Sequence, residues 1–444
     1  MVSVEDMARC REQRAARQRA LLHDCGGCVL SFTLNIAGAV KTNPLIEKGF
    51  DLGLRLIFAT LRHAGFTARG TQILREKTGC EMLCQVEGEA LYVKRVLCTL
   101  EEADDFGRLM DIDVIGKDGV KVSRLDVGLK PRRCLLCDQE AAVCGRSRAH
   151  SAESLFKKAE AIVRDRLIAE AAERLSVLAQ KALMFEAAVT PKPGLVDREN
   201  NGAHTDMDLF TFLESAAALR GYFASCVRQG AHLQSQAPEQ TMERLRFMGR
   251  FAEDEMLKAT RGVNTHKGAL YGLGILLGAA GRILPNDFSA EALLSVAGEI
   301  ARREKEALPL HAASGEQTGG VRQFARLGYA GARGQAADGF PLIGKVGLPA
   351  LHRALREGMT LNDAAIYTLL CLSAEADDSN VFRRGGEEGQ AWLKARAKTL
   401  AVLPLRIEGV RKLDQDCIER GLSPGGSADL TAFTLFVYFV TEER

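Results

Sequence analysis

Asp111 and Asp113 stand two residues apart in Gly107-Arg108-Leu109-Met110-Asp111-Ile112-Asp113-Val114-Ile115. The branched residues around them predict a strand, and alternate residues of a strand share a face. Two carboxylates held side by side can clamp the divalent ions used in nucleotidyl transfer, which makes both residues candidates for catalysis and for metal binding. A lone D-x-D is common, so the reading leans on Arg108 and Arg124, whose guanidinium forks match phosphate oxygens and are taken as substrate-binding. Further on, Cys134-x2-Cys137-x6-Cys144-x5-His150 has the residue types of a Cys₃His zinc site. Its spacing is only near the usual one, and Cys25 and Cys28 form a second C-x2-C pair that could supply ligands instead. Buried reduced thiols are the plainer reading, so zinc is an option here and not an expected cofactor.

The second half carries a different set. Val189-Thr190-Pro191-Lys192-Pro193-Gly194-Leu195-Val196-Asp197 cannot be helix, because two prolines fix φ and remove donors while a glycine permits a turn. The loop continues through Asn200-Asn201-Gly202-Ala203-His204-Thr205-Asp206-Met207-Asp208 and so gathers a lysine, a histidine and several carboxylates. Thr205 as a helix cap with Asp208 as its capping-box partner is the structural alternative for those two residues, and it leaves Lys192, Asp197 and His204 without a role. A second loop, Thr260 to Gly268, contains Asn264, His266 and Lys267 and opens a Gly-rich helix, where free N–H groups and a lysine suit a triphosphate. The plain alternative is an Asn264 or Thr265 cap beside a solvated Lys267.

Asp377 and Asp378 are expected at a helix end, where the macrodipole disfavours adjacent carboxylates, so a compensating cation is expected. Mg²⁺ is the candidate, with local pairing to Arg383 and Arg384 as the alternative. Ser423-Pro424-Gly425-Gly426-Ser427-Ala428-Asp429 resembles another anion-receiving helix start, unless Ser427 is an ordinary cap. Gly339 to Lys345 has the spacing of a phosphate loop, but Val346 stands where Ser or Thr is required and no strand precedes it. Lys192, His204, Asp206, Lys267 and Asp378 are expected to face one pocket.

These residues need elements to position them. Before about residue 150 the pattern is mixed: Arg9 to Leu22 reads as a basic helix, Val29 to Asn35 as a strand, Asp51 to Ala64 as a helix, and Leu91 to Leu100 and Met110 to Ile115 as strands. Beyond Ser151 the helical period dominates, with helices expected near 206–230, 239–259, 266–283, 289–306, 361–376 and 427–441. The expected architecture is an α+β amino-terminal domain, of nucleotidyltransferase-like type given the D-x-D strand, followed by a larger all-α domain. The boundaries are 1–170 and 171–444.

A chain of 444 residues is long enough for two cores. A net charge of +2 argues against nucleic acid as a partner. The longest apolar stretch, Lys267 to Arg282, is shorter than the roughly 20 residues of a spanning helix, and no signal-peptide core follows the amino terminus. Neither membrane association nor export is expected, and the cytoplasm is the expected location. Nine of the 12 cysteines fall at or before Cys144, which is no disulfide framework for the whole chain.

On the motifs from Glu186 to Met207, from Asn264 to Gly268, from Asp378 to Gly386 and from Ser423 to Leu430, the second domain resembles the triphosphoribosyl-dephospho-CoA synthase family. The first resembles the apo-citrate lyase phosphoribosyl-dephospho-CoA transferase family, on Asn35 to Gly38, Gly107 to Val114 and Arg133 to His150. The resemblance implies a bifunctional transferase. Its second domain would join ATP to 3′-dephospho-CoA with release of adenine. Its first would pass the phosphoribosyl-dephospho-CoA group to a serine of the apo acyl carrier subunit of citrate lyase, releasing pyrophosphate. Mg²⁺ would accompany ATP. Glu186, Asp197 and Asp206 are then the carboxylates for the ribosyl step, with Lys192, His204, Asn264, His266, Lys267, Arg384 and Ser427 binding substrate. The competing reading keeps the ribosyl chemistry but makes it hydrolytic, a glycohydrolase with a zinc-binding docking module at its amino terminus.

Overall fold

A computed structural model describes residues 2–23, 26–286, 288–306 and 331–442, and the chain falls into two units, Met1–Leu167 and Ile168–Arg444. In the first, the elements run α1 (Val4–His23), β1 (Cys28–Leu34), α2 (Pro44–His63), β2 (Thr67–Glu76), β3 (Gly79–Glu87), α3 (Ala90–Ala103), β4 (Met110–Ile115), β5 (Lys121–Val122) and α4 (Ala141–Ser147). The five strands form one antiparallel sheet in the order β2-β3-β1-β4-β5. Leu30, Phe32, Ile112 and Val114 from its centre pack with Phe50 and Ile57 of α2 and Leu97 of α3. In β4, Met110, Ile112 and Val114 are buried while Asp111 and Asp113 lie on the half-buried opposite face, as strand alternation requires.

Two expectations for this unit are corrected. Leu91 to Leu100 is helix, not strand: Glu89 caps it by accepting from Leu91 and Tyr92 N–H, and Val93, Lys94, Leu97, Cys98 and Glu101 are buried at helical spacing. α2 begins at Pro44, seven residues before the expected Asp51, because Asn43-Pro44 is a helix start, with Asn43 Oδ1 accepting from Ile46 N–H at 2.9 Å. The basic face of α1 meets a buried acid: Arg14 and Arg17 reach Glu81 of β3 at 2.5 and 2.7 Å.

The boundary between the units lies within α5 (Ala152–Ala188). After it the described residues are helical: α6 (Leu209–Ala218), α7 (Arg220–His232), α8 (Pro238–Ala259), α9 (Lys267–Ile283), α10 (Ala290–Glu306), α11 (Gly331–Ala337), α12 (Leu348–Arg356), α13 (Leu361–Glu375), α14 (Ser379–Leu400), α15 (Ile407–Arg420) and α16 (Gly425–Glu442). The stretch 206–230 is two helices, and the first is capped by Asp208 with Thr211 in a capping box, so Thr205 is not the cap. α7 and α9 touch backbone to backbone, since a Cβ on Gly230 would lie 2.0 Å from the Gly278 carbonyl oxygen. Gly339 to Lys345 runs into a π-helical turn, Ile343–Gly347, and forms no phosphate loop. No described helix is long and apolar enough to cross a membrane.

Candidate active sites

In the second unit the starts of α9 and α16, the loop after α5 and the junction of α13 and α14 surround a cavity of about 890 Å³. Lys192, His204, Asp206, Lys267 and Asp378 all line it, as do Glu186, Asn264, His266, Asp377 and Arg384. Lys192 is buried, and its Nζ donates to Glu186 Oε1 at 2.7 Å and to the Glu186 carbonyl at 2.8 Å. Its charge is thus answered before any substrate arrives.

Asp197 does not line the cavity. Its carboxylate accepts from the N–H groups of Lys192 (2.9 Å), Glu199 (2.7 Å) and Asn200 (3.0 Å), which folds the loop. Ser427 is also set back from the cavity: its N–H and hydroxyl both meet Asp378 Oδ2, at 2.8 and 3.2 Å. Asp378 is the N-cap of α14 and not the tail of α13, and its Oδ1 accepts from Asn380 and Val381 N–H at 2.9 and 3.3 Å. Burial raises its pKa against these N–H donors. Backbone donors thus answer Asp378, and Asp377 meets Lys394 Nζ at 2.5 Å.

His204 Nε2 pairs with Ser423 Oγ at 2.9 Å, and Arg384 ties the loop down by donating to the carbonyls of Ala203 and Gly421 at 3.1 and 3.2 Å. Burial, then the charge of Arg384, lowers the His204 pKa, so the ring is neutral near neutral pH. Asp206 is an exposed rim residue 3.9 Å from His204 Nδ1. Lys267, at the start of α9, is exposed and ion-paired with Glu253.

His266, not Asn264 or Thr265, is the N-cap residue of α9, and no side chain caps that end. Its Nδ1 lies 2.7 Å from Ser215 Oγ, and burial with the nearby Lys192 charge pushes its pKa down to about 3. Nε2 is buried without a hydrogen-bond partner among the described residues.

The residue that sequence reasoning missed is Asp429. Half-buried in the cavity wall, its carboxylate meets no hydrogen bond or ion pair among the described residues, and Oδ2 lies 2.0 Å from where a Cβ on Gly268 would stand. Burial, then the negative charges of Glu186 and Asp378, pushes its pKa well above the usual carboxylate range. It closes the Ser423 to Asp429 motif, but nothing in that motif shows that it would stay unpaired.

In the first unit Asp113 meets Lys121 Nζ at 2.5 Å and Asp111 faces Arg132 Nη1 at 3.7 Å. Burial, then Asp113, raises the Asp111 pKa. Arg124, expected as a phosphate fork, has a guanidinium that donates to Glu101 (2.6 Å), Glu102 (2.6 Å) and the Lys130 carbonyl (3.1 Å). Arg108 donates to Asp105 at 3.2 Å and to the Cys134 carbonyl. The hub that sequence reasoning missed is the buried Glu101, which meets Arg124, Arg132 Nη2 at 2.5 Å and the buried Lys94 at 3.2 Å. Burial by itself would raise its pKa, but the charges of Arg132 and Lys94 and the Arg124 hydrogen bond outweigh that and lower it. Cys134, Cys137, Cys144 and His150 converge, whereas Cys28 is buried in β1 and Cys25 lies outside the described residues.

One unit thus presents paired acids flanked by cations on a sheet, the other a cavity with an unpaired acid among helix starts, and both arrangements suit group transfer to or from phosphorylated substrates. The family described as ATP:dephospho-CoA triphosphoribosyl transferase matches residues 172–444, and that described as apo-citrate lyase phosphoribosyl-dephospho-CoA transferase matches residues 2–166. Protein CitXG of Haemophilus influenzae is 33% identical over 450 residues, covering 98% of this chain and 96% of its own length. Protein CitXG of Leuconostoc mesenteroides subsp. cremoris is 30% identical over 449 residues, 96% of this chain and 95% of its own. The chain belongs to both families in one polypeptide and is a bifunctional transferase of citrate lyase prosthetic-group biosynthesis. The glycohydrolase reading, with its docking module, gives way to this.

Proposed function

We propose that Asp429 is the base of the ribosyl transfer in the second unit. The 2′-hydroxyl of 3′-dephospho-CoA attacks C1 of the ATP ribose and gives its proton to the Asp429 carboxylate. The C1–N bond breaks, and adenine leaves with its electron pair and takes a proton at a ring nitrogen. A carboxylate beside the developing oxocarbenium charge also stabilises it. The uncapped start of α9, with Lys267 and Arg384, receives the triphosphate, and neutral His266 offers Nε2 as an acceptor to a ribose hydroxyl. Glu186 holds Lys192, and Asp206 stands at the entrance. The observation that carries this reading is the Asp429 carboxylate, unpaired in the wall of a cavity that Lys192, Arg384 and Lys267 also line.

In the first unit a serine hydroxyl of the apo acyl carrier subunit attacks the innermost phosphate, the P–O bond to pyrophosphate breaks, and the serine proton is lost to a base. Asp111 and Asp113 are the carboxylates for this step, Arg132 and Lys121 the cations beside them, and Arg108, which donates to the Cys134 carbonyl, a further cation for phosphate. Paired acids on a strand support a nucleotidyltransferase-like reading of this fold. Mg²⁺, bound with ATP in the second unit and at Asp111 and Asp113 in the first, would neutralise phosphate charge. The cytoplasm, where ATP and coenzyme A precursors are at hand, is the proposed location.

The test is mass spectrometry of the apo carrier subunit after incubation with this chain, ATP and 3′-dephospho-CoA, with adenine followed in parallel. A carrier heavier by one phosphoribosyl-dephospho-CoA group, with matching adenine release, is expected; adenine release with no coenzyme adduct would overturn the reading.

A further inference from the structure

Between Gly128 and Ser151 only two residues are buried, and both are cysteines, Cys134 and Cys144. A stretch of this length with no apolar core of its own has little to offset the entropy of ordering it. It nevertheless forms a tight hairpin, with Cys134 N–H donating to the Gln139 carbonyl and Ala141 N–H to that of Arg132, each at 2.8 Å, and then α4. Cys137 Sγ stands 3.9 Å from Cys144 Sγ, and His150 Nε2 3.2 Å from Cys137 Sγ. One ligand atom from each of the four residues lies within 4.8 Å of every other. Zn–S bonds of about 2.3 Å give a tetrahedron with S···S edges of about 3.8 Å, which is the spacing of Cys137 and Cys144. A disulfide would draw one pair of sulfurs to about 2.05 Å and leave His150 without a part. The Leu136 N–H also points at Cys134 Sγ, at 3.5 Å, a contact that favours a thiolate there.

We propose that Cys134, Cys137, Cys144 and His150 form a zinc clasp that holds Arg132 at the Asp111 and Asp113 face. Four protein ligands close the coordination shell, so the metal is structural, and three thiolates with one imidazole favour zinc over harder cations. The link to the face is short. Arg132, two residues before Cys134, reaches Glu101 at 2.5 Å and Asp111 at 3.7 Å, and Arg108 donates to the Cys134 carbonyl itself. Releasing the metal frees the hairpin and with it the cation facing Asp111.

The full chain, purified under reducing conditions, is compared with Cys137→Ser by elemental analysis and by exchange with Co²⁺. The clasp predicts about one zinc per chain, lost in Cys137→Ser, and thiolate-to-cobalt absorption with tetrahedral visible bands in the parent chain only. Adenine release, a property of the other unit, stays unchanged in Cys137→Ser, and a retained calorimetric transition of the first unit shows that the unit carrying the substitution is folded. Carrier modification from supplied triphosphoribosyl coenzyme falls about ten- to a hundredfold on zinc removal. This last arm rests on the transfer reading proposed above, and the metal arms do not. A chain that takes up neither metal, that holds iron in place of zinc, or that binds zinc equally without Cys137 overturns the clasp. Zinc loss with carrier modification unchanged overturns its hold on Arg132.

Discussion

Glu101 and Asp429 are both carboxylates withdrawn from bulk water, one in each unit, and their protonation moves in opposite directions. Burial pushes both pKa values up, but around Glu101 the charges of Arg132 and Lys94 and the hydrogen bond from Arg124 win, whereas around Asp429 the neighbours are Glu186 and Asp378 and add to the burial. The difference separates a carboxylate used as a hub from one kept available for proton transfer. It also fits the two chemistries: phosphoryl transfer is served by charge neutralisation and alignment, ribosyl transfer by a recessed carboxylate that can take a proton.

The largest effect is expected at Asp429. Asp429→Asn should slow adenine release by about 10²- to 10⁴-fold with little change in ATP affinity, the range for a lost general base. As a base, Asp429 acts deprotonated, so the parent rate should fall as pH drops through a pKa well above the ordinary carboxylate value of about 3.9. A pH–rate profile with no acid limb above the ordinary carboxylate range would remove the assignment, and His266, pushed down to about 3, cannot supply such a limb.

Glu101→Gln comes next and acts on stability. It leaves Lys94, itself buried, without its carboxylate, at a cost of about 3–5 kcal/mol. The loss should appear in the calorimetric transition of the first unit and leave the second unchanged. Because the folded pKa of Glu101 is depressed, its contribution is fully present above the unfolded value, near 4.3, and is lost as pH falls through the lower folded value. First-unit stability unaffected by Glu101→Gln would mean that the hub is dispensable.

Gly268→Ala is a smaller perturbation, about 1–3 kcal/mol of overpacking, because the new Cβ must displace Asp429 Oδ2 or the start of α9. Adenine release should suffer along with stability, whereas carrier modification from supplied intermediate should not. Normal adenine release by this variant would show that the placement of Asp429 is not critical.

What could be read from the sequence follows the range of each interaction. The Asp111 and Asp113 face was legible because strand alternation is local, and the helical second half because residues that favour helix dominate it and no strand alternation competes. Leu91 to Leu100 misled because Val93 and Val96 favour strand; the Glu89 cap was a local signal that went unread, while the burial of Lys94 against the Ile112 carbonyl at 2.6 Å depends on the fold. The hairpin of β2 and β3 passed unnoticed because β2 is exposed along nearly its whole length and shows no alternation. Adjacent acids at 377 and 378 invited a metal, and no local pattern could reveal that the Ser427 N–H, far along the chain, satisfies one of them. The same distance hid Asp429, whose role depends on neighbours contributed by α5 and the start of α14.

Following adenine and carrier mass in the same reaction, with Asp111→Asn and Asp429→Asn as full-length chains, tests the separation of the two sites most directly. Asp111→Asn should release adenine at the parent rate and leave the carrier unmodified. Asp429→Asn should fail to release adenine yet modify the carrier when the triphosphoribosyl coenzyme is supplied. Loss of adenine release in Asp111→Asn, failure of Asp429→Asn to modify the carrier from supplied intermediate, or loss of neither product in either variant would contradict two sites with separate chemistries.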